Sequence, residues 1–295
     1  MTAYRRALYS RGMSGTANAP RSADNRQYHI GVRPGEVAPS ILLVGDPSRA
    51  KRVAEGFFES YGDPISEREY VTYTGRYRGR PMSVMGTGMG AANTEIAVIE
   101  LCQCFDDPTQ IAIVRAGSCG VLQANIGLGD LVITKAAYRI EETTLAFVGP
   151  GFPAVAHPEA TIALLWAAED LGAPHHLGIT ATAPGFYGAQ GRELPGFPPR
   201  ELDIEAKLAR QGVTNLEMET SALLTLSALR GFRAGAVCAA YANRVHDTFI
   251  ADADKPQAEQ RCVEVGLAAL DRLAQLAELR GDRPCWHPGV GLGDS

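Results

Sequence analysis

Residues 111–120 read Ile111-Ala-Ile-Val-Arg-Ala-Gly-Ser-Cys-Gly120, an apolar run that ends in an arginine and several small residues. The run predicts a buried strand with Arg115 at its carboxyl end, where ligands bind in open α/β sheets. Because an arginine is costly to bury alone, Arg115 binds either an anion or an internal carboxylate. Gly117, Ser118 and Gly120 add loop amides and a hydroxyl donor. The segment therefore predicts an anion site suited to phosphate, with the internal ion pair as the alternative.

Other apolar runs and helical periodicities surround this segment. The runs predict strands over Ile41–Val44, Val71–Tyr77, Met82–Met85, Ile111–Val114, Leu131–Thr134, Ile179–Thr182 and Ala236–Tyr241. Apolar residues three or four apart predict helices over Ser48–Phe58, Ala91–Phe105, Glu159–Leu171, Glu219–Leu229 and Ala258–Glu278. Because strands and helices alternate, the fold class is α/β, with a sheet flanked by helices.

The ends of the chain differ in composition from its middle. Residues 1–26 carry Ser, Arg, Asn and Gly without apolar periodicity, so we expect a flexible leader. Residues 281–295 are rich in Gly and Pro, so we expect a tail outside the core. No repeat or low-complexity linker interrupts residues 27–280, which are therefore expected to form one domain.

Charge and composition exclude several classes of protein. The formal net charge is −5 and no long run of Lys or Arg occurs, which argues against binding to nucleic acid. No stretch approaches the roughly 20 apolar residues of a membrane span. The six cysteines are scattered and lack zinc-site spacing, so we expect reduced thiols, no metal and a cytoplasmic protein.

Two more loops follow predicted strands. Val44-Gly-Asp-Pro-Ser-Arg49 opens a helix, so Gly45, free amides and Arg49 suit an anion, although Asp46 is also explained as a helix cap. Gly86, Gly88 and Ala91 match a dinucleotide-binding pattern, yet the expected acid does not end the following strand. Glycines that permit close helix packing explain this second loop better, and contact with a substrate is a third alternative.

Two acids precede the helix predicted at Glu219–Leu229. Glu217 and Glu219 are explained either as partners of the helix dipole or as carboxylates that bind two neighbouring hydroxyls, as on a ribose. The sequence pattern alone leaves both explanations open.

Taken together, the motifs resemble those of the uridine phosphorylases within the nucleoside phosphorylase superfamily. The resemblance rests on Gly45-Asp-Pro-Ser-Arg49, Glu67-Arg-Glu-Tyr70, Gly86-Thr-Gly-Met-Gly90, Arg115-Ala-Gly-Ser-Cys-Gly120, Phe186-Tyr-Gly-Ala-Gln-Gly-Arg192, Glu217-Met-Glu219 and Asn243-Arg244. They stand in the family's order from about Tyr28 to about Leu276. The resemblance implies a single-domain nucleoside phosphorylase fold with a central mixed sheet, assembled as dimers that build hexamers in bacterial members.

The resemblance also implies roles for individual residues. Phosphate would be bound by Gly45, Arg49, Arg115 and Ser118, joined by Arg68 from the adjoining subunit. The nucleoside would be bound by His29 from across the interface, Phe186, Gln190, Arg192, Glu217, Met218 and Glu219. Within this set, Gln190 and Arg192 match the pair that recognises the uracil edge, and Glu219 matches the carboxylate that binds the ribose hydroxyls. Arg115, Gln190, Arg192 and Glu219 are the expected catalytic residues.

The implied activity is the reversible phosphorolysis of uridine to uracil and ribose 1-phosphate, with phosphate as co-substrate and no cofactor. Purine-cleaving relatives place an acid near Asn243, and an amide cannot act as a general acid. However, Ser118-Cys119 also occurs in some purine enzymes, so a purine nucleoside phosphorylase is the alternative, followed by a hydrolytic nucleosidase and a non-catalytic nucleoside-binding protein. Residues resembling Glu69, Met89 and Asn93 hold a monovalent cation at the dimer interface of some bacterial members.

Overall fold

The computed structural model describes residues 15–291, and these residues form one mixed sheet with helices on both faces. Its strands are β1 (Ser40–Val44), β2 (Ser60–Tyr61), β3 (Ile65–Glu67), β4 (Tyr70–Tyr77), β5 (Arg80–Gly86), β6 (Ala112–Val121), β7 (Leu131–Arg139), β8 (Ala154–Val155), β9 (His175–Thr182), β10 (Val213–Glu217), β11 (Arg233–Asn243) and β12 (Thr248–Phe249). β6, β11, β7, β9 and β10 pair in a closed circuit, and β1, β5 and β4 extend the sheet outward from β6. The predicted mixed sheet is confirmed.

All seven predicted strands are present, but β6 extends further than the predicted strand Ile111–Val114. β6 continues through the segment Arg115–Gly120, which the sequence pattern assigned to a loop. β11 pairs with β6 over its full length, from Ala112 to Val121, and β10 joins at Gly120 and Val121. Hydrogen bonding to these two strands keeps a glycine-rich, polar segment extended where its own composition favours a turn. β10 itself was not predicted.

The helices are α1 (Pro47–Phe57), α2 (Ala91–Cys102), α3 (Pro158–Asp170), α4 (Ile204–Arg210), α5 (Thr220–Arg230) and α6 (Lys255–Arg280). Five of them were predicted, and α4 was missed because it is short. The Asp46 side chain accepts a hydrogen bond from the Ser48 amide at 2.8 Å, so Asp46 caps α1 as the structural explanation required.

Alternate residues of β1 pack into opposite layers of the core. Leu42 and Val44 face a cluster built with α1, α3 and α6, which we call the α6-side cluster. Ile41 and Leu43 face a second cluster built with α2 and α5. Because successive strand residues point to opposite faces, the apolar run of β1 supports helices on both sides.

The C-terminal segment corrects the expectation of a tail outside the core. Trp286 is buried in the α6-side cluster, and its backbone N–H donates to Glu159 Oε1 at 2.7 Å. Glu159 is itself buried on α3, so residues 281–291 join α3 and α6 rather than leaving the domain. Residues 1–14 of the expected leader and residues 292–295 lie outside the described part of the chain.

Two further sequence expectations concern cysteines and membranes. All six cysteines lie among the described residues and are free thiols, five of them buried. From residue 15 to residue 291 no helix combines the length and the apolar composition that a membrane crossing requires.

Candidate active site

A cavity of about 460 Å³ lies where β1, β6, β10 and β11 end. It is lined by the predicted site residues Gly45, Arg49, Arg115, Ser118, Phe186, Gln190, Arg192, Glu217, Met218 and Glu219. The cavity thus brings together every predicted site residue except His29 and Arg68. Four of the additional lining residues were not singled out from the sequence: Leu216, Tyr241, Ala242 and Phe249. Met89, which the resemblance associates with a cation, also lines the cavity.

Arg115 is buried and lies between two carboxylates. Its Nη2 contacts Glu219, and its Nη1 lies 3.4 Å from Glu217 Oε2. Burial lowers the pKa of Arg115, but the charges of Glu219 and Glu217 outweigh it, so the pKa is raised overall. The internal ion pair that the sequence pattern left open is therefore present, and Arg115 also lines the cavity. Its guanidinium is fixed in position and fully charged.

Gly117 provides the space that the Arg115 guanidinium occupies. A Cβ atom at position 117 would collide with Arg115 Nη1 and lie 2.7 Å from its Cζ. Residues 115 and 117 point to the same face of β6, because side chains alternate along a strand. The glycine is thus required by the packing of its neighbour.

The two acids of the 215–221 segment have different roles. Glu217 accepts hydrogen bonds from the Thr182 hydroxyl at 2.6 Å and from the Glu219 and Thr220 amides at 2.9 Å. Glu217 therefore fixes the start of α5, which is the structural explanation for this acid. Burial and the charge of Glu219 raise its pKa, although Arg115 acts in the opposite direction.

Glu219 connects two of the glycine-rich segments. Its Oε1 accepts a hydrogen bond from the Gly90 amide at 2.7 Å, and its Oε2 contacts Arg115. Because a carboxylate accepts about four hydrogen bonds, these contacts leave capacity for ligand hydroxyls in the cavity. Gly86 serves packing, since a Cβ there would lie 2.5 Å from Pro47 Cα.

Arg49 stands at the same end of the cavity as Arg115. Its Nε lies 2.9 Å from Glu259 Oε2 on α6, and the same carboxylate binds Arg52. Gly45 and Ser118 line the cavity nearby. Two arginines, a hydroxyl donor and the first turn of α1 therefore converge on one end, which suits a doubly charged anion.

Gln190 and Arg192 follow β9, and β10 and β6 separate β9 from β1 and the Arg49 loop, so these two residues form the opposite end of the cavity. Arg192 Nη1 donates to Gln190 Oε1 at 2.7 Å and to Phe186 O at 2.5 Å, and its guanidinium lies 3.8 Å from the centroid of the Phe186 ring. Burial and the neighbouring charge of Arg244 lower the pKa of Arg192 to about 10. Gly191 joins the pair with φ of 69°, a left-handed conformation that favours glycine.

The side-chain amide of Asn243 is hydrogen bonded to backbone groups of the protein. Its Nδ2 donates to Ile126 O at 2.9 Å, and its Oδ1 accepts from the Val245 and His246 amides at 3.0 and 3.1 Å. Its side chain is buried and does not line the cavity. The position where purine-cleaving relatives carry an acid therefore holds a structural amide.

His29 and Arg68 lie together and do not line this cavity. His29 Nδ1 lies 2.6 Å from Glu100 Oε1, and the Arg68 guanidinium lies 5.0 Å from the ring centroid of Tyr28. The Tyr28 ring contacts the His29 ring edge-on at 4.9 Å. Within one chain these two residues do not reach the predicted site.

The residues expected near a monovalent cation also lie close together. A Cβ on Gly88 would lie 2.6 Å from Asn93 Nδ2 and 3.4 Å from Glu69 Cγ, and the neighbouring Met89 side chain is 76% exposed. In the described part of the chain no group of three or more His, Cys, Asp or Glu side chains is placed to hold a metal.

The fold is that of a known family. Residues 39–278 match the model of the phosphorylase superfamily, so the chain belongs to that superfamily. The uridine phosphorylase of Thermococcus kodakarensis is 40% identical over 284 residues, which cover 93% of this chain and 97% of the relative. A crystal structure of a Trypanosoma brucei nucleoside phosphorylase that shows uridine phosphorylase activity has a TM-score of 0.82 at 26% identity, covering 86% of this chain and 99% of that one.

A purine-cleaving relative is similar over a shorter span. The DeoD-type purine nucleoside phosphorylase of Bacillus subtilis is 35% identical over 207 residues, covering 70% of this chain and 82% of the relative. The uridine phosphorylase resemblance therefore extends over more of the chain at a higher identity.

Proposed function

We propose that this chain catalyses the reversible phosphorolysis of uridine to uracil and ribose 1-phosphate, a reaction of pyrimidine nucleoside salvage. The observation that carries the proposal is the division of one cavity into a doubly basic end at Arg49 and Arg115 and an amide-arginine end at Gln190 and Arg192. Glu219 lies between Arg115 and the Gly90 amide, where a ribose would join the two ends.

Phosphate bound by Arg49, Arg115, Ser118 and Gly45 attacks C1′ through one oxygen while the bond between C1′ and the base nitrogen breaks. The electron pair of that bond passes to the base, its charge develops on a carbonyl oxygen, and the released uracil anion takes up a proton from water. Arg192 stabilises this charge, and the Gln190 amide offers a donor and an acceptor to the uracil imide. Glu219 accepts hydrogen bonds from the ribose hydroxyls, and no covalent enzyme intermediate or cofactor is required.

Binding requires local rearrangement at both ends. Gln190 Oε1 is occupied by Arg192 and its Nε2 by Gly185 O, so uracil replaces some of these contacts. Arg115 likewise keeps its carboxylate partners and turns its remaining N–H groups to phosphate. Catalysis in this site is by positioning and electrostatic stabilisation.

The proposal includes self-association of the chain in the cytoplasm. Arg68 and His29 do not line their own cavity, so in this proposal they complete the phosphate and ribose 5′ sites of an adjoining subunit. Glu69, Met89 and Asn93 would hold a monovalent cation at that interface. Uridine and phosphate are the partners of the site, and neither nucleic acid nor a membrane is a proposed partner.

Initial rates of base release from uridine, inosine and adenosine, with and without phosphate, test the proposal. We expect uracil formation from uridine that requires phosphate and exceeds purine release. Faster purine cleavage would support the second candidate, which the Bacillus subtilis relative favours. Turnover that ignores phosphate would indicate a hydrolase, and thermal stabilisation by uridine without turnover would indicate a binding protein.

A further inference from the structure

A β-bulge directs Tyr241 into the cavity. β11 pairs with β6 through Ala240 and Cys119 and next through Ala242 and Gly120, so Tyr241 is an extra residue in β11. Bulges next to active sites commonly redirect a side chain. Tyr241 lines the cavity, although it was not among the residues predicted from the sequence.

The environment of the Tyr241 ring places it at the phosphate end. The ring packs against the α6-side cluster, to which α1 and α6 contribute Ala50, Val53, Cys262 and Val263. The same two helices carry Arg49 and Glu259, which pair at 2.9 Å. Gln190 and Arg192 belong to a different loop at the opposite end.

The hydroxyl of Tyr241 is a free donor. Burial raises the pKa of Tyr241, Arg49 acts against this rise, and Glu259 adds to it, so the hydroxyl keeps its proton at neutral pH. Burial and neighbouring charges, rather than a hydrogen bond, are the main influences on the pKa of this hydroxyl. Partly buried tyrosine hydroxyls usually find a partner, and Tyr241 lines the cavity in which the anion would bind.

We propose that the Tyr241 hydroxyl donates a hydrogen bond to the phosphate co-substrate, beside Arg49. Tyrosine supplies one oriented donor without adding charge, so it complements the two arginines rather than replacing either of them. The inference rests on the proposed function, because it assumes that the anion bound at this end is phosphate.

The test is Tyr241→Phe, which removes only the hydroxyl. Tyr77→Phe is the matched control, because the Tyr77 ring packs in the same cluster, burial raises its pKa, and it does not line the cavity. We expect the KM for phosphate to rise roughly tenfold in Tyr241→Phe, as for a lost hydrogen bond to a charged group. The KM for uridine should change less than twofold, and the control should match wild type in both constants.

Several outcomes decide the inference. An unchanged phosphate KM in Tyr241→Phe would overturn it, and so would a rise confined to the uridine KM, which would assign the hydroxyl to the nucleoside. If wild type does not cleave uridine, the proposed function fails on its own. Stabilisation of the fold by inorganic phosphate, measured as the shift in Tm, then still tests Tyr241: loss of the shift in Tyr241→Phe alone supports the contact, and an equal shift in all three proteins refutes it.

Discussion

Arg115 and Arg192 stand at opposite ends of one cavity, and the protein treats their charges differently. Arg115 lies on a central strand between Glu217 and Glu219, and its pKa is raised. Arg192 follows a short turn, stacks on Phe186, has no acidic partner among residues 15–291, and its pKa is lowered to about 10. The phosphate end is thus built into the core of the fold, whereas the base end lies on a loop that can rearrange.

Arg115→Met should show the largest effect, because it leaves two buried carboxylates without their cation. We expect the free energy of unfolding to fall by about 3–5 kcal/mol and phosphorolysis to be lost. Urea denaturation and uracil formation below the melting temperature measure the two effects.

Arg233→Met is the control for Arg115→Met. Arg233 is also a buried strand arginine, and it lies 3.9 Å from Glu159 outside the cavity. This variant should lose stability and keep its specific activity. Full stability of Arg115→Met would contradict the ion pair as the main partner of Arg115.

Arg192→Met should separate activity from stability. The variant loses hydrogen bonds to Phe186 O and Gln190 but leaves no carboxylate of residues 15–291 unpaired. The free energy of unfolding should therefore fall by only about 1–2 kcal/mol. The kcat for uridine should fall by about 10²–10³, as for loss of one preorganised contact to developing charge. Steady-state kinetics and urea denaturation on the same samples measure both effects. A stability loss as large as that of Arg115→Met would contradict the claim that only Arg115 is built into the core.

A matched pair of glycine substitutions, one at each end of the cavity, should give the smallest effects. In Gly117→Ala the new methyl collides with the Arg115 guanidinium, so we expect a loss of about 1–3 kcal/mol and a raised KM for phosphate. In Gly191→Ala the left-handed backbone costs about 1–2 kcal/mol, and the KM for uridine should rise instead. Measuring both KM values in both variants tests whether the two ends bind different substrates. A raised KM for phosphate in Gly191→Ala would contradict this separation.

The sequence predicted the scaffold better than the site contacts. Continuous apolar runs identified β1, β6 and β11, because these strands are buried on both faces, and apolar residues three or four apart identified the long helix α6. β10 was missed, since Val213–Glu217 mixes polar and apolar residues that are buried on both faces in the closed circuit. Trp286 was assigned to a tail because its partner, Glu159, lies far away in the sequence.

Within the site, local pattern gave the chemistry of single residues but not their pairing. An arginine after an apolar run indicated an anion or a carboxylate, and only the pairing of β10 with β6 shows that Glu219, just after β10, is that carboxylate. Gln190 and Arg192 were found through the family resemblance, since nothing in the spacing of one amide and one arginine indicates a base. Tyr241 could have been noted from its place at the end of β11, by the reasoning applied to Arg115.

The hydrogen bonds of Asn243 also restrict how this chain could evolve toward purines. An aspartate at position 243 would turn an acceptor-only carboxylate toward the Ile126 and Gln123 carbonyl oxygens, which the amide now satisfies as a donor. The lineage would lose the anchor of the 123–126 loop before it gained an acid in the cavity. A change of base preference along this route therefore requires the loop and the side chain to change together, so the first step carries a fitness cost that a later one must compensate.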